Sequence, residues 1–211
     1  MKKLTTIFIS LFLLLQVITP TKVNASGTTI SYTVNITNVT QAKSNWCWAA
    51  CAEMVGKSIT SSGRNQWQVV NHFYGTTSNQ YPNIGASGVA EVASAAMYAA
   101  LNQKAFDSTE NIWSFNQINS SIQNHRAVIP LWTYTKTDGT FVNKHSLVIF
   151  KTETYIDDFS GAHYVYVYYV NPSTGASTKV SYTNFSHKTI VKNGITYNVD
   201  YTDTAYIRYI T

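Results

Sequence analysis

The 211-residue chain predicts an α+β fold, a helical N-terminal half packed on an antiparallel β half. Three observations carry that expectation. Segments with alanine at helical spacing lie before residue 127, and strand-like segments lie after it. Eleven of the 15 tyrosines follow Ala127, where alanine becomes sparse. Asn193-Gly194 stands between TIVK and ITYNV, a two-residue hairpin signal. Helices first and strands later argue against an alternating parallel sheet. A single domain is expected over 26–211, mainly helical over 26–126 and mainly β over 127–211.

Residues 1–25 read as a secretory signal peptide. Lys2 and Lys3 precede an apolar run densest from Ile7 to Leu15, and Val23-Asn24-Ala25 offers small residues for cleavage. The run falls short of the roughly 20 apolar residues a spanning helix needs. No second long apolar segment follows, so stable membrane insertion after cleavage is not expected. Residues 26–40 alternate apolar and polar positions and predict a short strand, too brief for a folded inhibitory prosegment.

A first helix is expected through Ala49, Ala50, Ala52, Met54 and Val55, stopping near Gly56. A second runs from Gln66 to Tyr74 and ends at Gly75, and a third runs from Ser87 to Leu101. Ser114 and Gln117 form a capping box for a fourth, with Ile118 and Ile122 on one face. Strands are expected at Ala127–Trp132, Ser146–Lys151 and Tyr164–Val170, on both sides of the Asn193-Gly194 turn, and at Tyr206–Ile210. The loops Ser61–Gly63 and Thr76–Gly85 are expected to be the mobile segments.

Charge narrows the function classes. The whole chain carries +5, but Lys2, Lys3 and Lys22 lie within residues 1–25, where there is no acid. From Ser26 onward 12 basic residues face 10 acidic ones, and Lys43, Arg64, Lys104 and Arg126 are scattered. Nucleic-acid binding needs a clustered basic face, so it is not expected. The two cysteines exclude a disulfide-dense scaffold and a four-cysteine zinc site.

Cys47 is the residue that carries chemistry. It stands where a loop meets the first helix, and unpaired N–H groups and the helix dipole there favour a thiolate. In such a setting a thiol pKa of about 8.5 falls to roughly 3.5–7.5. A thiolate needs a base. His145 has the best context of the five histidines because it begins the strand SLVIF. His72 reads as a surface or core-edge residue, His125 as a helix C-terminal cation, His163 as a strand opener and His187 as a loop residue. If the strands 146–151 and 164–170 pair antiparallel, Asn171 arrives beside His145. Its amide oxygen is then available to accept from the imidazole, although Asn171-Pro172 also reads as an ordinary turn. The Cys47 N–H is one oxyanion donor, and the Gln41 amide, six residues upstream, is a candidate for the second.

The ordered set Gln41, Cys47-Trp48-Ala49, His145 and Asn171 resembles the papain-like cysteine proteases. The string Asn45-Trp46-Cys47-Trp48-Ala49-Ala50-Cys51 resembles their bacterial AvrRpt2-type and C39-like branch. The resemblance covers residues 41–172, with 173–211 completing the sheet. It implies a papain-like fold and a thiol peptidase that cuts proteins or peptides and needs no metal or organic cofactor; with the signal peptide the enzyme is expected to be secreted, and a monomer is expected. It also implies that Cys47 attacks a carbonyl carbon, His145 protonates the leaving amine and Asn171 orients His145. Gln41 and the Cys47 N–H would hold the oxyanion. Trp48 is expected near the His145–Asn171 pair and as a substrate contact. The chain lacks the Cys-Gly-Ser before the nucleophile, the disulfide set and the long prosegment of plant and animal papains. Two other readings keep parts of this set: a peptidoglycan amidase or endopeptidase, and a catalytically silent binding or toxin module.

Cys51 has three readings. A disulfide with Cys47 is poorly placed along one helix, and a zinc pair lacks a second pair of ligands. Burial as a small hydrophobe is the expected state. The tyrosines at 164, 166, 168 and 169 mostly reflect strand propensity, with a carbohydrate or peptide platform as the alternative reading, and Trp113 and Trp132 are expected in the core.

Overall fold

The computed structural model describes residues 26–79 and 88–208. The predicted signal peptide, Ser87 of the third helix, residues 80–85 of the second loop and residues 209–210 of the last strand lie outside the described residues. The alternating lead segment forms β1 (Gly27–Thr33), which pairs antiparallel along β5 (Val148–Asp157).

Helix α1 (Cys47–Ile59) is buried at every position from Cys47 to Gly56. Its Ala49, Ala50 and Ala52 suit a central helix surrounded by packing on all sides. It runs three residues beyond the predicted stop at Gly56 and ends at Thr60, which is extended. Gly56 serves close approach instead. A Cβ there would lie 2.7 Å from the carbonyl carbon of Ala99, the last residue of α3 (Gly88–Ala99). α2 (Gln66–Tyr74) has the predicted ends. Asn65 and Gln68 form a capping box, and Gly75 closes the helix at φ 61°. α3 stops two residues short of the predicted Leu101, because Leu101 and Asn102 take left-handed φ values of 55° and 59°.

A short strand, β2 (Phe106–Thr109), follows with no sequence signal. α4 (Phe115–Gln123) begins at the Ser114/Gln117 capping box and buries Ile118 and Ile122 as expected. His125 lies just past it with φ 56°.

The β half contains β3 (Val128–Lys136), β4 (Phe141–Ser146), β5, β6 (His163–Asn171), β7 (Ala176–Ser181), the one-turn α5 (Tyr182–Ser186), β8 (His187–Lys192) and β9 (Ile195–Ile207). Among the described residues the strands form a nine-stranded sheet. Its main path is β2-β9-β3-β5-β6-β7, with β1 on β5, β4 on β3 and β8 on β9, all antiparallel. Asn193 and Gly194 join β8 to β9 with φ 53° and 75°, as a two-residue turn with two left-handed positions requires. His187 opens β8 instead of lying in a loop, because Asp200 of β9 sits opposite it and their side chains pair.

The long segment 141–157 is divided at Leu147, whose N–H turns to Pro130 O. Its first part pairs with β3 and its second with β6, so His145 belongs to β4 and not to the strand that follows it. One apolar core joins the halves. Trp46, Trp48 and Met54 of the helical side share it with Leu147, Ile149, Val167 and Tyr201 of the sheet, and Trp113 and Trp132 are also buried in it. Among the described residues no helix is long and apolar enough to cross a membrane.

Candidate active site

Cys47 is the first residue of α1, and no side chain caps this helix end. The N-terminal N–H groups are therefore left for other acceptors. The groups that pull the Cys47 thiol pKa down are the His145 imidazole and the backbone N–H groups of Ser146 and Trp48. Burial by itself raises the thiol pKa. The His145 hydrogen bond and charge, with the two backbone donors, outweigh it, and the net shift is downward. For His145, burial pulls the pKa down, but the Cys47 hydrogen bond and charge and the Asn171 hydrogen bond raise it overall. Both shifts favour a thiolate–imidazolium pair.

Asn171 ends β6, and Val170 lies opposite Val148, which brings the strand end back to β4. Asn171 Oδ1 lies 2.9 Å from His145 Nε2 and also accepts the Ser173 N–H at 3.0 Å. With Nε2 engaged by an acceptor, Nδ1 is the ring nitrogen left for the sulfur. Ser173 Oγ stands 3.4 Å from His145 Nε2 and donates to Gln41 Oε1 at 3.2 Å.

Gln41 lies on the loop before α1. Its N–H donates to Pro172 O at 2.8 Å, which ties that loop to the Asn171-Pro172 turn. Both N–H hydrogens of its side chain are engaged, with Lys43 O at 2.9 Å and Ser44 O at 2.8 Å. Gln41 therefore stands beside the site with its donors turned to its own loop.

Trp48 corrects the sequence expectation. It is wholly buried and packs edge-on against Phe73 and Tyr74 of α2. A ring with no exposed surface offers nothing to a substrate, and Trp48 belongs to the core that joins the two halves. Next to His145 the aromatic residue is Trp132, its partner on β3, with Lys188 Nζ 3.5 Å over the ring.

Several residues escaped the sequence reading. Gln66 anchors the Gln41 loop through Ala42 N–H to its Oε1 and through its Nε2 to Thr40 O, and its own N–H donates to the buried carboxylate of Glu53. A glutamate inside an alanine-rich helix was the available signal for a polar anchor. Ser173 and Tyr134 carried no signal. Tyr134 lies across from Asn143 on β3 and is pushed up to about 12 by burial, then by the nearby Tyr169 and Cys47.

Cys51 is free and wholly buried, and burial followed by the Cys47 charge holds its thiol well above the ordinary range. A cleft of about 570 Å³ opens at His145 and Asn171, and Ser44, Ser173, Ile190, Lys192 and Tyr197 also line it. A low-pKa thiol, an imidazole able to carry its proton and an amide fixing that imidazole form a nucleophile and a proton shuttle beside an open cleft. The family model described as papain-like cysteine protease AvrRpt2 matches residues 28–190. No curated protein matches the chain.

Proposed function

The chain belongs to the papain-like cysteine protease family of AvrRpt2, and from that membership we propose that it is a secreted thiol peptidase acting on proteins or peptides. The observation that carries the reading is His145, whose Nε2 lies 2.9 Å from Asn171 Oδ1 and whose imidazole pulls the neighbouring Cys47 thiol pKa down. The Cys47 thiolate attacks the carbonyl carbon, forming a C–S bond as the carbonyl oxygen takes the electron pair. The Cys47 N–H, at the uncapped start of α1, faces the resulting oxyanion. Gln41 supplies a second donor by releasing Ser44 O, the more exposed of its two acceptors. As the tetrahedral centre collapses, His145 gives its proton to the leaving amine and the C–N bond breaks. His145 then takes a proton from water, whose oxygen attacks the thioester and releases the acid and the thiolate.

Asn171 keeps the imidazole in one tautomer throughout, and Ser173 N–H fixes Asn171. The charged and apolar pattern of residues 2–15 supports export, so the secreted protein begins near Ser26. Incubation with casein tests the activity. Wild-type protein cleaves it, an epoxide that alkylates thiols blocks cleavage and labels Cys47, and Cys47→Ala abolishes both. Undiminished cleavage by Cys47→Ala contradicts the proposal.

A further inference from the structure

The walls of the cleft beside His145 carry a one-sided charge. Lys192 and His145 are its basic wall residues, and among the described residues no aspartate or glutamate lines it. Among the described residues no carboxylate pairs with Lys192. Lys192 is the last residue of β8, and the two-residue turn at Asn193-Gly194 holds it over the cleft. Val142 and Ile190 add apolar wall.

Which half of a substrate enters follows from the proton. His145 must reach the leaving nitrogen, so the chain that departs as the amine lies on the His145 side of the cut. The cleft is bounded by His145 and Asn171, and Cys47 is not among its walls. The geometry points to a subsite for a carboxylate-bearing leaving half. Lys192 Nζ pairs with the carboxylate, and Val142 and Ile190 pack against an apolar side chain beside it. This subsite rests on the thiol peptidase reading. The carboxylate has two sources, an aspartate or glutamate side chain or the C-terminus of a short peptide.

Internally quenched peptides separate the two. One series is long and amidated, with Glu or Gln at each of the first three positions after the cut. The other is short, with the last residue a free acid or an amide. The expected preference for the carboxylate form is about fivefold in kcat/KM at low salt, the scale of an exposed ion pair, and it shrinks as salt rises. Lys192→Ala removes the ratio, and Lys192→Glu inverts it toward a Lys-containing peptide. A preference confined to the first series assigns an acidic side chain, and one confined to the second assigns a chain end. A carboxylate ratio unchanged in Lys192→Glu, or absent in wild type, overturns the subsite while leaving the peptidase reading standing. No thiol-dependent turnover of any peptide overturns both.

Discussion

Cys47 and Cys51 share one helix and are both buried, yet their pKa values move in opposite directions. Burial raises both. Only Cys47 has the His145 imidazole and two backbone N–H groups to pull its pKa down; Cys51 has none of them. The difference predicts that iodoacetamide at pH 7 labels Cys47 and spares Cys51, as peptide mapping by mass spectrometry would show. It also fixes the form of the pH profile. The active pair appears as pH rises through the lowered Cys47 pKa and is lost as pH rises through the raised His145 pKa. Asn171→Ala removes one of the contributions that raise His145. Its kcat/KM profile should lose the alkaline limb at lower pH than wild type and fall by roughly tenfold, about 1.4 kcal/mol. An unmoved alkaline limb would deny Asn171 its orienting role. At this scale the nucleophile was legible from its place before an alanine-rich helix. The engagement of Gln41 with Lys43 O and Ser44 O was not, because it depends on how the loop turns its own carbonyls.

Helices were legible where the signals that end them are local. Asn65, Gln68 and Gly75 bound α2, and Ser114 and Gln117 start α4, all within a few residues of the helix they define. Gly56 misled for the same reason. Read locally it is a helix stop, but its role is set by Ala99, distant in sequence. Gly56→Ala should therefore destabilise the protein by about 1–3 kcal/mol, the cost of overpacking, despite the higher helix propensity of alanine. A urea midpoint equal to or above wild type would contradict that close approach. β4 was illegible because FVNKHS lacks an apolar–polar alternation, and its pairing with β3 forms only in the folded sheet. The expectation that Asn171 meets His145 needed only the antiparallel pairing of the strands that became β5 and β6.

Across the whole molecule the site lies where the helical half meets the sheet. α1 carries the thiol, β4 the imidazole and the end of β6 the amide, and the Gln41–Pro172 bond ties the first loop to the last of these. The switch from alanine-rich to tyrosine-rich sequence made this division legible. The single core that joins the halves was not, since Trp48 and Leu147 give no sequence sign of sharing it. A shared core predicts one cooperative unfolding transition, with far-UV and near-UV circular dichroism changing together in urea. Two separated transitions would mean that the halves are independent. Such a core also holds Cys47 against His145 without a ligand, so the reactive pair should exist in the resting protein. The most direct measurement is the rate of Cys47 alkylation by iodoacetamide against pH, in wild type and in His145→Ala. The account predicts an inflection below the ordinary thiol range in wild type and a shift to higher pH in His145→Ala. The same inflection in both proteins would contradict it.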